Sequence, residues 1–557
     1  LAKVLSTIIL LSIFLPISVT LLLSVDSIQN FVVDKATEFT SNWLGTKVSI
    51  DRVDLDLFSK IRVQGFYVED YNQDTLIYAG EAKARIASLD IKRTGLVLEG
   101  AELSDAKLHI RELPSGELNI RPIVQKLTSK EGKGDFRLYI NDMRVNNAEF
   151  VYERLVHRNP VYGVDYNDML MRNINGEVHD FAVVKGVVTC DIWNLSGEEK
   201  SGFKLDDFSA ELLVDKGLIE FTGLSAETQH SAVRMPRMTI SGRDWLQYKH
   251  YIDSVHMDGV VDYATVHSSD VAYFAPNLRE WDVTIKDVDA SFEGYVRDLA
   301  VQLNSASVGD NSSISGNAHI VGLPDWRNSQ YDIKVDEAQI TSSDALMLVA
   351  EATREGLPAK AQDIVKNLEW VNVAGTYKGD LKAFHAKGRM NSSAGKMNAD
   401  VHIRRHRSSI DVRGDVATKG LDVGRVLNIP NLHRVDAHLV GEGNIGDVLV
   451  GKLKADVEGV EFGSYRYKSI TAEGEVNGGD YLATVSSADE NLNFDMWGAM
   501  NLDIENPTYN LSLDLRHADL HAIGVNKRDT TAVLSLQLGL EAEGHTIDDL
   551  VGTLSIA

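Results

Sequence analysis

Gly441-Glu-Gly443-Asn-Ile-Gly446 has the spacing of a dinucleotide-binding loop and follows a strand-like run, Val435–Val440. That loop works only where a helix comes next, because the helix N-terminal amides meet the pyrophosphate. Here Lys452–Glu458 follows, alternating apolar and polar, so the glycines read as a tight connection between strands. His402 and His406 are four apart, which pairs two imidazoles on a metal only when the segment is helical; theirs reads as strand. Asp51, Asp54 and Asp56 lack the loop and glycine of a calcium site and read as a solvated strand edge. The chain has no Gly-x-Ser-x-Gly nucleophile elbow and no His-Glu-x-x-His zinc helix. The single cysteine, Cys190, excludes an intramolecular disulfide framework. Its neighbours Val187, Val188, Ile192 and Trp193 mark it as a small buried hydrophobe. No pair of carboxylates stands apart from the rest. The expectation is a protein without catalytic residues, metal or cofactor, and not an enzyme.

Composition agrees with that direction. Against 81 acidic residues stand 56 basic ones, a net charge of −25, which argues against nucleic acid because phosphate binding needs clustered Lys and Arg. Aromatics make up 7% of the 557 residues and glycines number 43, so several large compact cores would be thinly supplied.

Val4–Val25 is a 22-residue run without charge. About 20 apolar residues span a bilayer core, whereas a signal-peptide core is roughly 7–15 residues and ends at a small-x-small site. Leu23-Ser24-Val25 is a poor cleavage site, so residues 1–25 read as an uncleaved transmembrane anchor, a cleaved signal being the alternative. Pro16 is tolerable in a spanning helix. The chain begins with Leu1 and ends at Leu554-Ser-Ile556-Ala557 in strand-like alternation, which reads as a piece of a longer protein. Residues 26–45 form an amphipathic helix, started by Asp26 or Ser27 and ended by Gly45. Ile28, Phe31, Val32, Lys35, Phe39 and Trp43 share one face, suited to capping the membrane end of a β-structure.

From Lys47 the period changes to two. Val53, Leu55 and Leu57 alternate with Arg52, Asp54 and Asp56; Leu453 and Val457 with Lys452, Lys454 and Asp456; Leu511 and Leu513 with Ser512 and Asp514. The longest case is Leu534, Leu536, Leu538 and Leu540 against Ser535, Gln537, Gly539 and Glu541. One face apolar and one face wet is the signature of antiparallel meander sheet. At roughly 12 residues per strand and turn, about 40 strands are expected. A polar, Gly-containing stretch at 128–135 breaks the pattern into a first segment, 46–127, and a remainder, 136–557.

The remainder carries a loose repeat. Asp270, Asp344, Asp422 and Asp519 each open a short helical or turn segment, and strands bearing Gly294, Gly375, Gly443 and Gly544 follow, with Asp298, Asp380, Asp447 and Asp548 shortly after. The second unit adds a helix, Pro358–Leu368, with Ala361, Ile364, Val365 and Leu368 on one face and Pro358 suited to its first position. Stacked units of this kind build quasi-one-dimensional bodies.

The order of these features resembles the AsmA-like family, and within it the TamB-type translocation and assembly proteins of a Bacteroidetes-like lineage. The resemblance is carried by the anchor, by Gly45-Thr-Lys-Val-Ser-Ile-Asp-Arg-Val-Asp-Leu-Asp-Leu-Phe58, by Gly65 and Asp74-Thr-Leu-Ile-Tyr78, and by Gly163-Val-Asp-Tyr-Asn-Asp-Met-Leu170 and Thr228-Gln-His-Ser231. The C-terminal part that TamB-type proteins carry is not in this sequence. The resemblance implies an elongated, taco-like β-groove of repeating units with an apolar concave wall, a single-pass inner-membrane anchor and a groove in the periplasm. It implies phospholipid acyl chains as cargo and outer-membrane biogenesis as the role; the alternative is a scaffold for outer-membrane protein assembly or secretion with an Omp85-type partner. The groove candidates are Val53, Leu55, Leu57, Leu453, Val457, Leu511, Leu513, Leu534, Leu536, Leu538 and Leu540.

Overall fold

A computed structural model describes residues 34–35, 37–38, 41–42, 45–56, 60–90, 95–121, 137–155, 160, 162–184, 186–354, 356–502, 505, 507–545 and 551–557. The anchor 4–25, the helix-face residues Ile28, Phe31, Val32, Phe39 and Trp43, the groove candidate Leu57 and the polar stretch 128–135 lie outside them. Residues 34–35, 37–38 and 41–42 are helical, and Gly45 closes that stretch at φ +73°, with its amide donating to the Ser41 carbonyl at 2.7 Å. Among the described residues no helix is long and apolar enough to cross a membrane.

Among the described residues the chain is mainly β, 66% strand, in 29 strands and a few short helices. This is fewer than the expected forty, because the strands are longer than the sequence estimate allowed; those near the start reach 17 residues. Contacts divide it into two compact units, 1–296 and 297–557.

The first unit holds β1 (Val48–Ser49), β2 (Arg52–Asp56), β3 (Lys60–Glu69), β4 (Thr75–Asp90), β5 (Gly95–Arg111), β6 (Arg137–Glu153), β7 (Asp168–Val184), β8 (Val187–Glu199), β9 (Lys204–Asp215), β10 (Leu218–Thr228), β11 (Ala232–Ser241), β12 (His256–Val261), β13 (Tyr263–His267) and β14 (Thr284–Tyr295), with helices α1 (Tyr251–Ser254) and α2 (Ser268–Ala272). Its pairs are antiparallel with one exception: β5 and β6 run parallel, Leu98 beside Ile140 and Leu103 beside Val145. A parallel pair needs a crossover that carries the chain back along the sheet between its two strands. The purely antiparallel meander expected from the sequence is corrected at this point. A line of left-handed residues, Asp105, Asn147, Asn173 and Asn194, all with φ of 51–52°, crosses β5 to β8 near irregular register. Asn and Asp tolerate that conformation, and side chains bridge the line: Asn147 Nδ2 donates to Asp105 Oδ1 at 2.5 Å, and its backbone N–H to Asn175 Oδ1 at 2.9 Å. The main cluster of buried apolar residues here is Ala210, Leu224 and Met235, with Phe221, Met238 and Phe292 packed on it.

The second unit holds β15 (Asp298–Val308), β16 (Ser312–Val321), β17 (Gln330–Thr341), β18 (Trp370–Gly379), β19 (Ala383–Ser392), β20 (Gly395–Arg405), β21 (Ile410–Asp422), β22 (Leu432–Ile445), β23 (Val450–Phe462), β24 (Tyr465–Asn477), β25 (Asp480–Ala488), β26 (Leu492–Asn501), β27 (Thr508–Asp519), β28 (Val533–Glu543) and β29 (Val551–Ile556), with helices α3 (Ser342–Thr353), α4 (Ala359–Leu368) and α5 (Val423–Leu427). Every strand pairs antiparallel with its sequence neighbour. All the helices leave the sheet at one rim, after β17 and β21. The opposite rim is made of hairpin turns.

The repeat has a structural basis at the helix starts. In the first unit Asp270 Oδ2 accepts from Thr228 Oγ1 at 2.6 Å and Ser231 Oγ at 2.7 Å, while the His267 N–H donates to Ser231 Oγ at 3.0 Å. In the second unit Asp344 Oδ2 accepts from Ser312 Oγ at 2.6 Å, while the Thr341 N–H donates to Ser312 Oγ at 3.0 Å. Each carboxylate ties a helix start to the turn of an earlier hairpin. Asp422 occupies the cap position itself, its Oδ1 accepting from the Arg425 N–H at 3.0 Å, and Asp519 opens a turn in the same way, its Oδ1 accepting from the Ala522 N–H at 2.8 Å. Pro358 caps α4, one place before the position the sequence suggested, and Ile364 and Leu368 of that helix pack on Ala394, Leu421 and Val426.

Candidate functional site

The registers of the second unit align apolar residues across all fifteen strands. One row runs Leu303, Gly316, Val335, Gly375, Gly388, Ala399, Val416, Leu439, Ala455, Ala472, Val485, Met496, Leu513, Leu538, Ile556. Two residues along each strand lies a second: Val301, Ala318, Ile333, Tyr377, Ala386, Val401, Gly414, Gly441, Leu453, Gly474, Ala483, Gly498, Leu511, Leu540, Leu554. A third, toward the hairpin rim, includes Ile320, Tyr331, Phe384, Ile403, Val412, Gly443, Val476, Tyr481, Met500 and Tyr509. The three rows contain no charged side chain. Fifteen strands at roughly 4.8 Å each make a face about 70 Å long.

At two glycines the neighbouring strands come close together on that face. A Cβ on Gly375 would stand 2.3 Å from the Lys387 carbonyl oxygen and 2.7 Å from Gly388 Cα; on Gly443 it would stand 2.7 Å from the Val450 carbonyl oxygen. Such approaches arise where neighbouring strands bend toward this side. Between β21 and β26 the bend encloses an open recess of about 740 Å³ lined by Val416, Leu439, Ile445, Leu453, Val476 and Met500 among others, within the size range of pockets for small apolar ligands. Its walls are not interlocked. Most row members are half-buried, Leu453 is 51% exposed and Leu554 57%, and the buried apolar cluster of this unit lies at the helix rim.

The opposite face is polar and laddered with ion pairs: Lys378–Asp332 at 2.9 Å, Lys387–Asp400 at 2.9 Å, Lys452–Glu442 at 2.8 Å and Lys454–Glu473 at 2.8 Å. They face solvent and contribute little to stability one by one; their larger effect is to keep this face wet and the register fixed. Here β19 and β20 also bring His385 and His402 face to face, rings stacked at 3.9 Å, with His385 Nε2 2.7 Å from Asp400 Oδ1. These three offer ligand atoms close together, but Asp400 is shared with Lys387, which, ahead of His385, holds its carboxyl below the ordinary carboxylate range. Lys378 and Arg413 stand directly across from the two histidines. His402 with His406, four apart in a strand-like segment, is set aside on sequence grounds, and His406 indeed lies in the following turn, bonded to Asp411 at 2.7 Å. A cross-strand pair such as His385–His402 has no sequence signal until the register is known.

The sequence candidates fall as follows. Leu453, Leu511, Leu513, Leu538 and Leu540 are in the first two rows. Val457 and Leu536 are in a further row toward the helix rim, with Ala437, Ile470, Phe494 and Leu515. Leu534 pairs with Ala518 beyond a bulge and is 38% exposed. In the first unit Val53 stands in line with Val63, Ala82, Leu103, Val145 and Gly176, and the Leu55 backbone is in register with Ile61, then Ala84, Ala101, Met143 and Val178. The glycine motif lies within β22 and the turn after it, its Gly441 and Gly443 paired with Leu453 and Gly451, and no helix follows. No protein-family profile, curated protein or solved structure matches the chain.

Proposed function

We propose that this chain is a membrane-anchored β-groove protein of the bacterial envelope that conducts phospholipids between the inner and outer membranes, with the groove in the periplasm. The observation that supports this reading most is the set of three charge-free rows on a face fifteen strands long, with an open apolar recess between β21 and β26. A two-chain lipid exposes on the order of 30 methylenes, each costing about 0.8 kcal/mol in water, so free transit costs roughly 24 kcal/mol. An apolar wall removes most of that cost. Because neighbouring positions offer the same aliphatic surface, no position is a deep trap, and a lipid moves along the wall by diffusion without a catalytic group.

The test is lipid content. The chain, purified in mild detergent and exchanged into lipid-free buffer, is expected to retain phospholipid, seen by native mass spectrometry. A lipid-free preparation that takes up no fluorescent phospholipid from vesicles would overturn the reading. It would leave the assembly scaffold with an Omp85-type partner, in which strand edges rather than the apolar face engage the client.

A further inference from the structure

The protein is strongly acidic, yet Arg404-Arg405 ends β20 and His406-Arg407 opens the turn to β21 on the hairpin rim. The register decides where these charges go. In β20 Val401 and Ile403 belong to the apolar rows, so Arg405, two residues beyond Ile403 and paired with Ile410, continues the same face outward. Ile410 in turn pairs with Ile445, a wall residue of the apolar recess. Arg405 therefore stands two strands, about 10 Å, from Ile445 and on the same face. Its backbone is fixed: the Arg405 N–H donates to the Lys382 carbonyl at 2.6 Å, which sets Lys382 beside it, and the His406 N–H donates to the Ser409 carbonyl at 2.8 Å. Neighbouring carboxylates are already engaged, Asp411 by His406 and Asn444, and Asp380 by the amides of Lys382 and Ala383 at 2.7 Å. Arg405 and Arg407 have no ion-pair partner among the described residues. Stacked Tyr377 and Phe384, 4.9 Å apart, cover the apolar side below them.

We propose that Arg405 and Arg407, with Lys382, hold the phosphate of an anionic phospholipid at the rim while its acyl chains lie on the wall at Phe384, Ile403 and Val412. This rests on the lipid reading above and adds a headgroup class to it. Arginine suits the task because its fork takes phosphate oxygens in pairs. The rim is wet and the wall dry, so an amphiphile bound there has its charge and its chains each in the matching environment.

The experiment incubates the full chain with vesicles of equal phosphatidylglycerol and phosphatidylethanolamine, re-isolates it and measures the bound lipids. Wild type is expected to be enriched in phosphatidylglycerol, and the enrichment to fade with added salt. R405E/R407E is expected to lower the ratio of phosphatidylglycerol to phosphatidylethanolamine roughly fivefold or more, with total bound lipid and circular dichroism retained; R405K/R407K is expected to keep most of the enrichment. R405Q/R407Q serves if the glutamate variant misfolds. Equal ratios in wild type and variant, with lipid bound in both, would overturn the headgroup site and leave the groove standing. No lipid bound to wild type would overturn the groove itself. Glycerol phosphate competing as well as the lipid would make this a site for soluble phosphate and overturn the proposal.

Discussion

Gly375 and Gly388 face each other across β18 and β19 in the middle of the apolar face. The atom that a Gly375 side chain would meet at 2.3 Å is a backbone oxygen, which cannot swing aside. Gly375→Val is therefore expected to flatten or part these two strands, at a cost of about 1–3 kcal/mol, read as faster amide hydrogen exchange in β18 and β19. The same substitution at Gly414, where a Cβ would meet only the Val401 side chain at 3.7 Å, is expected to be mild. Cys190 is buried, and burial followed by the nearby Asp191 carboxylate pushes its thiol up to about 11. At pH 8 about one thiol in a thousand is then ionised, so iodoacetamide is expected to leave the native chain unmodified and to label it once urea is added. Because the folded state holds this proton more tightly than the unfolded one, stability is lost as pH climbs from about 9 toward 11. The burial of Cys190 was legible from its aliphatic neighbours. The glycine pair was not, because its meaning lies in which two glycines the register sets opposite each other.

At the scale of elements, the period-two alternation identified the strands, and the helical spacing of Ala361, Ile364, Val365 and Leu368 identified α4. Alternation carries no information about partners, so the parallel pairing of β5 and β6 was invisible in it. So was the line of left-handed Asp105, Asn147, Asn173 and Asn194, since Asn and Asp also occur in ordinary turns. The recurrent aspartates could be found as a pattern, but their work could not. Burial would raise the Asp344 carboxyl, but hydrogen bonds from Ser312, Thr341 and the Asn311 and Asp310 amides prevail and hold it below its ordinary value. The native state thus favours the carboxylate. Its contribution is complete above the unfolded value near 3.8 and is lost as pH falls through the lower folded value. Asp344→Ala leaves Ser312 and the turn amides without their acceptor and is expected to cost about 1–3 kcal/mol at pH 7. Thermal melts at pH 7 and pH 3 check this: the gap between wild type and variant narrows in acid. A gap that is the same at both would mean that the carboxylate does not tie helix α3 to the β15–β16 turn.

At the scale of the whole molecule, the proposed conduction would depend on continuity, which no single side chain provides. Leu536 and Leu538 sit in adjacent rows, opposite Leu515 and Leu513. Replacing both with Asp puts two carboxylates where, on the proposed reading, an acyl chain would pass. Each neighbouring chain segment then either desolvates a charge or leaves the wall for water, and every 1.4 kcal/mol of added barrier slows passage about tenfold. The strands themselves have little to lose, because both leucines are half-buried on an open face rather than interlocked in a core. Leu536→Asp/Leu538→Asp is therefore expected to reduce phospholipid transfer between donor and acceptor vesicles at least tenfold with strand content by circular dichroism unchanged. Asp substitution at Ser535 and Gln537, on the polar face of the same strand, is expected to leave transfer intact. The pair of variants separates the two readings of the protein: a scaffold that works through strand edges tolerates charge on either face equally, whereas a conduit tolerates it on one face alone.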